Sequence, residues 1–374
     1  MQLMSLASAA ALALGTAASH VGAVTAPTEG AAGFRYLHYE DRQPGNERIT
    51  VRGYAVDVLA PLTDRWAIEA YGVIDAISGA SPAYYTAPSA LVPLTDRRRA
   101  TDTRLSYYAH RQRFTLGLAE SRESDYESSS VSVLYAGSSS DQNTTWTAGI
   151  SRTQDEINPV NGRVRDARKQ ITEVLLGVTQ VLTPVDIVQV QVTHSTGQGY
   201  FSDPYKLFDL RPGGRHQTVV LLRWNHRVTP LDATLRTSAR AYRDSFGIRS
   251  VTLSADWAQQ LPHGWTLTPS VRLYAQTPAT FFSPPDPADP DRPNPPTGYR
   301  FGRSIISMDQ RLAGFGAITA GLKAEKRMDS QASLYVKVEH YEQRTSWDWM
   351  GGGAALRDFR ARTLQVGYTY RWNR

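Results

Sequence analysis

The chain has 374 residues, with 41 Lys and Arg against 35 Asp and Glu, a net charge of +6 and no cysteine. That length allows one large domain or two ordinary ones, and the missing cysteines exclude disulfide frameworks, thiol catalysis, iron–sulfur clusters and Cys-based zinc sites. The positive charge is spread out instead of clustered among aromatics, which argues against a nucleic-acid partner. A mean hydropathy of −0.39 does not exclude the membrane. No run of about 20 apolar residues follows the N-terminus, so no helix is expected to span a bilayer. A transmembrane β-barrel nonetheless reads as polar on average, because half of each strand and all of its loops face water.

Leu3 to Gly15 is an apolar stretch rich in Ala and Leu, with small residues following at Ala17, Ala18, Gly22 and Ala23. It reads as a secretory signal peptide over residues 1–26, cleaved near Ala18 to Ala26, although the usual preceding Lys or Arg is missing. No Cys follows it, so a lipoprotein is not expected. The rest, 27–374, reads as one exported domain.

From Gly33 onward, strand-like segments alternate with turn signals and no convincing helix appears. The expected strands are Phe34–Tyr39, Ile49–Leu59, Trp66–Ser78, Arg104–His110, Phe114–Glu120, Ser129–Gly137, Trp146–Thr153 and Ile171–Leu182. They continue as Ile187–His194, Thr218–Arg227, Ala233–Arg243, Val251–Gln260, Trp265–Gln276, Ser304–Lys326, Ser333–Arg344 and Thr363–Trp372. That makes about 16, an even number as a single-chain bacterial barrel requires. Short turns such as Pro61 to Asp64, Thr183 to Asp186, Thr229 to Asp232 and Leu261 to Gly264 fall at every second connection, and Arg111-Gln112-Arg113 is a minimal link. The connections between them are mostly long: Gly79 to Thr101, Glu156 to Lys169, Ser195 to His216, Thr277 to Arg303 and Ser346 to Arg362. Short periplasmic turns and long extracellular loops are the habit of such barrels. Pro269 is the one proline inside an expected strand, where its missing N–H would cost a ladder bond.

The faces agree. Val188, Val190 and Val192 alternate with Gln189, Gln191 and Thr193, and Leu334, Val336 and Val338 with Tyr335, Lys337 and Glu339. The last stretch is the clearest, with Leu364, Val366, Tyr368, Tyr370 and Trp372 on every second position and polar residues or glycine between. Period two gives one apolar, aromatic face and one polar face. In lipid every backbone polar group must bond within the protein, so such a sheet has to close. The expected fold is therefore all-β: a transmembrane antiparallel up-and-down barrel of about 16 strands. Its final strand would be the segment met by the barrel-assembly machinery, and its apolar face would meet outer-membrane lipid.

With that face outward, the expected lumen holds Glu69, Asp75, Arg104, Arg223, Arg236, Arg240, Asp256, Arg272, Lys337, Glu339 and Arg371. The mixture leans basic and suits either a polar pore with some preference for anions or a closed interior filled by ion pairs. In the loop Gly199 to Lys206, Tyr200, Phe201 and Tyr205 stand beside Asp203 and Lys206. A folded plug at the mouth and an exposed partner-binding patch both fit, with the plug preferred. No catalytic, cofactor or metal site is expected. His194-Ser195 and Asn225-His226 are the nearest approaches to a nucleophile and base, without a visible third member. The histidines are scattered, and Asp286, Asp289 and Asp291 stand among prolines in what reads as a solvated loop.

Several stretches together resemble a family catalogued as domain of unknown function 3570, outer-membrane barrels of Gram-negative bacteria. They are Ser78 to Pro82, Asn158 to Asn161, Gly199 to Lys206, Arg223 to His226, Asp244 to Ile248, Gly264 to Pro269 and Asp309 to Leu312. The resemblance implies the barrel fold and transfers no activity or catalytic residue. It implies a context beside a small lipoprotein, a thioredoxin-like protein and an FMN-transferring enzyme, hence a periplasmic or lipoprotein partner and a link to envelope redox or metal handling. Three functions remain open at this point: a channel or passive transporter for small polar solutes, a blocked barrel serving as anchor or scaffold, and, well behind, an outer-membrane hydrolase.

Overall fold

The computed structural model describes residues 24–44, 46–79, 94–206, 208–284, 286, 295–351 and 356–374. The expected signal peptide lies almost wholly outside the described residues, as do Asp289 and Asp291. In chain order the strands are β1 (Glu29–Gln43), β2 (Asn46–Pro61), β3 (Trp66–Gly79), β4 (Leu94–Ala109), β5 (Gln112–Arg122), β6 (Tyr126–Ser138), β7 (Thr144–Ile157), β8 (Ala167–Thr183) and β9 (Asp186–Gly199). There follow β10 (Asp209–Leu210), β11 (Gly214–Val228), β12 (Ala233–Asp244), β13 (Arg249–Leu261), β14 (Trp265–Gln276), β15 (Ile306–Ser307), β16 (Phe315–Arg327), β17 (Ala332–Arg344) and β18 (Phe359–Asn373). All but β10 and β15 pair antiparallel with their neighbours in one closed barrel of 16 strands. The ring is completed by β1 against β18, from Glu29 opposite Asn373 to Arg42 opposite Arg360.

Each expected strand falls inside or across a barrel strand, and the corrections concern extent. The stretch from Ser304 does not enter the barrel. Ile306–Ser307 instead pairs with Asp209–Leu210 as a small separate sheet, a 3-10 turn follows at Gln310–Leu312, and the wall resumes at Phe315. The Ile305-Ile306 pair mimics a strand start because it is apolar, yet its backbone partners lie in another loop. The long connection after β3 ends earlier than Thr101, since β4 begins at Leu94. Residues Thr95 to Arg104 are polar at nearly every position, so no period-two signal survives there although the backbone ladder runs on. The link between β4 and β5 is the two-residue turn His110-Arg111, both at positive φ, as a tight hairpin matching strand twist demands. Pro269 does sit in a strand. It pairs with Leu322 of β16, but on the other side the β13–β14 ladder stops at Asp256–Ser270 and resumes at Gln259–Leu267.

Outward positions form an apolar band: Val56, Leu116, Val133, Ile150, Leu176, Val190, Leu222, Leu253, Leu273, Leu322, Val338 and Leu364 are all exposed. A ring of exposed large hydrophobics around a closed barrel is a lipid-facing surface. Near the end carrying the short turns, that band gains aromatics. Trp66 lies 4.8 Å from Tyr107, Phe114 5.3 Å from Tyr135, and Tyr370 6.4 Å from Trp372 by ring centroids, with Trp146, Trp224 and Trp265 at comparable positions. Such a girdle marks one membrane–water boundary.

Candidate functional site

Two features stand inside this wall: a polar lumen toward the turn end and a folded cap at the loop end. The lumen follows from alternation. On β14 the inward positions are Thr266, Thr268, Ser270 and Arg272; on β17, Ser333, Tyr335, Lys337 and Glu339; on β18, Gln365, Thr369 and Arg371. These and their neighbours enclose a cavity of about 640 Å³. Its lining holds the basic residues Arg35, Arg236, Lys323, Lys337 and Arg371 but, among acids, Asp256 and Glu325 alone. Lys323 pairs with Glu325 at 2.5 Å, Lys337 with Glu339 at 2.9 Å and Arg35 with Asp57 at 2.7 Å, which leaves Arg236 and Arg371 beside Asp256. An excess of fixed positive charge on a low-dielectric wall favours anions in the water between.

Of the expected lumen residues, Arg236, Asp256, Lys337 and Arg371 thus meet in one cavity, with Glu339 beside Lys337. Arg240 lies two positions along β12 from Ser238 and four from Arg236, its guanidinium 5.4 Å from the Tyr242 ring, and Arg272 continues the Ser270 face of β14. Arg223 donates to Gln189 at 3.2 Å. Asp75 binds Arg98 through three hydrogen bonds of 2.8–3.2 Å. Glu69 lies opposite Arg104 in register, while Arg104 binds Asp102 at 2.8 and 3.0 Å. Alternation missed the hydroxyl wall. β5–β7 turn Thr115, Ser121, Ser128, Ser130, Ser132, Thr147, Ser151 and Thr153 inward, all buried. The run Ser128 to Val133 carries the signal, with serine on each inward position and valine on two of the outward ones.

The cap is built from loops that meet over the mouth. The stretch 200–213 is tied on one side to the loops of β5–β8: Tyr205 donates its hydroxyl to Asp125 at 2.5 Å, Asn161 donates to the Pro204 carbonyl at 3.0 Å, and Arg163 to the Lys206 carbonyl at 2.9 Å. Phe201 meets Phe246 edge-on at 6.1 Å, with Phe246, Ile248, Ala279 and Leu312 as an apolar core around it. Gly247, at φ 89°, turns this segment so tightly that a Cβ there would strike Thr280. On the other side lies an ionic cluster. Arg211 donates to Asp209 at 2.5 and 2.7 Å and to Asp309 at 2.8 Å. Arg311 donates to Asp203 at 2.6 Å and to Asp309 at 2.7 Å, and Lys206 stands 3.9 Å from Asp309. Three carboxylates meet three cations, with the Asp209 and Asp309 side chains 0% and 1% exposed. Gln276 of β14 donates to the Arg311 and Ala313 carbonyls, and Gln43 of β1 to Gln310, so the 309–313 segment spans from β14 to β1.

Burial works to raise every carboxyl in this cluster, and the cations decide the outcome. Arg311 and Lys206 hold Asp203 below the usual range, and with Arg211 they hold Asp309 well below it. Asp209 stays raised, because burial together with the Asp309 and Asp203 charges outweighs Arg211. Burial also pushes the Tyr200 phenol up to about 12. The five residues expected to form a plug or patch are therefore engaged inside the cap.

The pairs weighed for catalysis are not assembled. Ser195 is buried on the inward face of β9, whereas His194 is exposed on the outward face and bonded to Thr218 at 3.0 Å. His226 bonds Asp186 at 2.8 Å, which also accepts from Trp224 and Thr183. Among the described residues no group of three or more His, Asp or Glu is arranged to hold a metal ion.

The sequence matches the family described as "Protein of unknown function (DUF3570)" over residues 84–368. No curated protein matches it. Among solved structures, a bacterial polysaccharide outer membrane secretin is similar at TM-score 0.52 and 9% identity, over 91% of this chain and 98% of that one. CdiB from Acinetobacter baumannii is similar at TM-score 0.51 and 7% identity, over 91% of this chain and 60% of that one. At such identities the likeness is one of fold, the outer-membrane barrel.

Proposed function

This chain belongs to the family of proteins of unknown function 3570, and from that premise we propose that it is a passive outer-membrane channel for small polar solutes, preferring anions and covered at its outer mouth by folded loops. The observation that carries this reading is the basic lean of the 640 Å³ lumen cavity, whose lining holds five cations and two carboxylates, with Glu339 and Asp57 beside it paired to Lys337 and Arg35. Sixteen strands give a barrel wide enough for water, and its selectivity is then set by the wall. In this reading the turn end faces the periplasm and the cap the exterior. The chain is exported by its N-terminal segment and inserted by the assembly machinery through β18. The solutes that fit are small anions able to exchange hydrogen bonds with Arg, Lys and hydroxyl side chains.

The second reading is an anchor for a periplasmic or lipoprotein partner, and the buried ionic cluster of the cap favours it, because a mouth tied by so many bonds resists opening. Planar-bilayer recording of the refolded protein separates the two. We expect anion-selective currents that grow when residues 199–206 are deleted, and a reversal potential shifted toward cations in the Arg236→Glu/Lys337→Glu variant. Folded, heat-modifiable protein that passes no current with or without the deletion overturns the channel and leaves the anchor.

A further inference from the structure

We propose that the lipid-facing side of β16, β17, β18, β1 and β2, near the loop end, is a binding site for a phosphorylated, acylated lipid of the outer leaflet. The proposal rests on the membrane orientation given above, though not on conduction.

The site is a groove of about 550 Å³ on the outer surface. Its floor is apolar: Ala320 and Leu322 of β16, Val338 of β17 and Leu364 of β18. The small outward side chain of Ala320 leaves the wall recessed beside Leu322 and Val338. An acyl chain lying along this floor would bury apolar surface on both partners. Toward the loop end the groove closes on Arg362, two positions from Leu364 and so roughly 7 Å further along the strand. His38 of β1 lies opposite Leu364 and, on its other side, opposite Arg52 of β2.

Arg52 and Arg362 are both exposed on the outward face, with their guanidinium groups open to the membrane side. Glu40, which also lines the groove and lies opposite Arg362 in the β1–β18 register, is bonded to His38 at 2.9 Å, so its carboxylate is shared between the imidazole and the field of Arg362 and offsets only part of the two guanidinium charges. An arginine on the lipid face is costly at depth and tolerated near the boundary, and it becomes favourable where an anionic headgroup meets it. The guanidinium fork is matched to phosphate oxygens in two-point contact. Apolar floor below, exposed guanidinium groups above: that order is the order of a phospholipid or phosphoglycolipid from chain to headgroup. The turn end lacks it, since its outward rim is lined by Trp66, Trp146, Trp224 and Trp265. A second copy of this chain fits less well, because a two-fold contact through this face would set its arginines near their own images.

The test uses detergent-refolded full-length protein and native mass spectrometry. The probes are a bisphosphorylated hexa-acyl lipid A, the same lipid with both phosphates removed, and inorganic phosphate. We expect the phosphorylated lipid to be retained by the wild type and by Arg249→Gln, an exposed outward arginine at the loop end of β13. Arg52→Gln/Arg362→Gln should retain it about tenfold less. Heat-modifiable migration checks that each variant is folded, and unchanged single-channel conductance of the double variant separates loss of lipid from loss of the channel. Equal retention of the dephosphorylated lipid, or no effect of the double substitution, overturns the proposal. Complete displacement of the lipid by millimolar phosphate overturns the lipid as occupant and leaves an anion site.

Discussion

Asp309 accepts from Arg211 and Arg311, has Lys206 nearby and caps the 3-10 turn by accepting the Arg311 amide, all from a side chain 1% exposed. Asp309→Asn keeps the shape and removes the charge, leaving Arg211 on Asp209 and Arg311 on Asp203 but the cluster with three cations against two carboxylates. Breaking a buried pair on one side costs about 3–5 kcal/mol. The expected outcome is local: hydrogen exchange of cap amides such as Met308 accelerates at least about a hundredfold, while amides of the β16–β18 ladder keep their protection. Exchange that stays slow at Met308 would show that the apolar core around Phe246 holds the cap unaided. At this scale the sequence was half legible. Asp203 and Lys206 were visible as charges among aromatics, and Arg236, Asp256, Lys337 and Arg371 as lumen residues, because a strand's alternation assigns faces without knowing the neighbours. Arg211, Asp309 and Arg311 were not visible as partners, since the pairs join residues 98 and 108 positions apart and no periodicity links them.

Strands are legible where one face meets lipid, because the period-two signal is then forced. The signal fails in two ways here. It vanishes over Thr95 to Arg104, polar on both faces, and it misfires at Ile305-Ile306, where Ile306 is buried among loops and Ile305 is exposed. Pro269 shows the converse, a residue that ought to end a strand yet is tolerated inside one. Its missing N–H leaves Trp257 and Ala258 out of the β13–β14 ladder, while its ring points to the outward face. Pro269→Val supplies the donor and should close that gap, adding about 0.5–1.5 kcal/mol for one backbone bond. The measurement is the temperature at which the folded gel band converts to the unfolded one, expected to rise. A fall would mean that the ladder gap is required by the local bend of the wall.

For the whole molecule, strand number, closure and the alternation of short and long connections could be read in advance, because lipid dictates them. The cap could not, because its bonds form between loops whose own sequences carry no pattern. Its pH response follows from the carboxyl groups. Asp203 and Asp309 have folded values below the ordinary Asp range, so their stabilisation is complete above about pH 4 and is lost as pH falls beneath it toward their folded values. Asp209 is raised and acts oppositely, costing stability at neutral pH and recovering it as it protonates. Two against one, the cap should hold from neutrality down to about pH 4 and loosen below. Protease cleavage within residues 200–213 should therefore begin under those conditions, with the barrel still heat-modifiable; cleavage that sets in near pH 6 would contradict the assignment. The seam has a further consequence. Since Glu29 lies opposite Asn373, the first and last wall strands are neighbours like any other pair, and nothing in the ring's geometry privileges the place where it is cut. A circularly permuted chain, joined across that seam and reopened in the Thr229–Leu231 turn, would end on β11, whose outward Val220, Leu222 and Trp224 again place an aromatic close to the terminus. Such a permutant separates what the ring needs, which is only adjacency, from what its insertion needs, which is a particular strand arriving last.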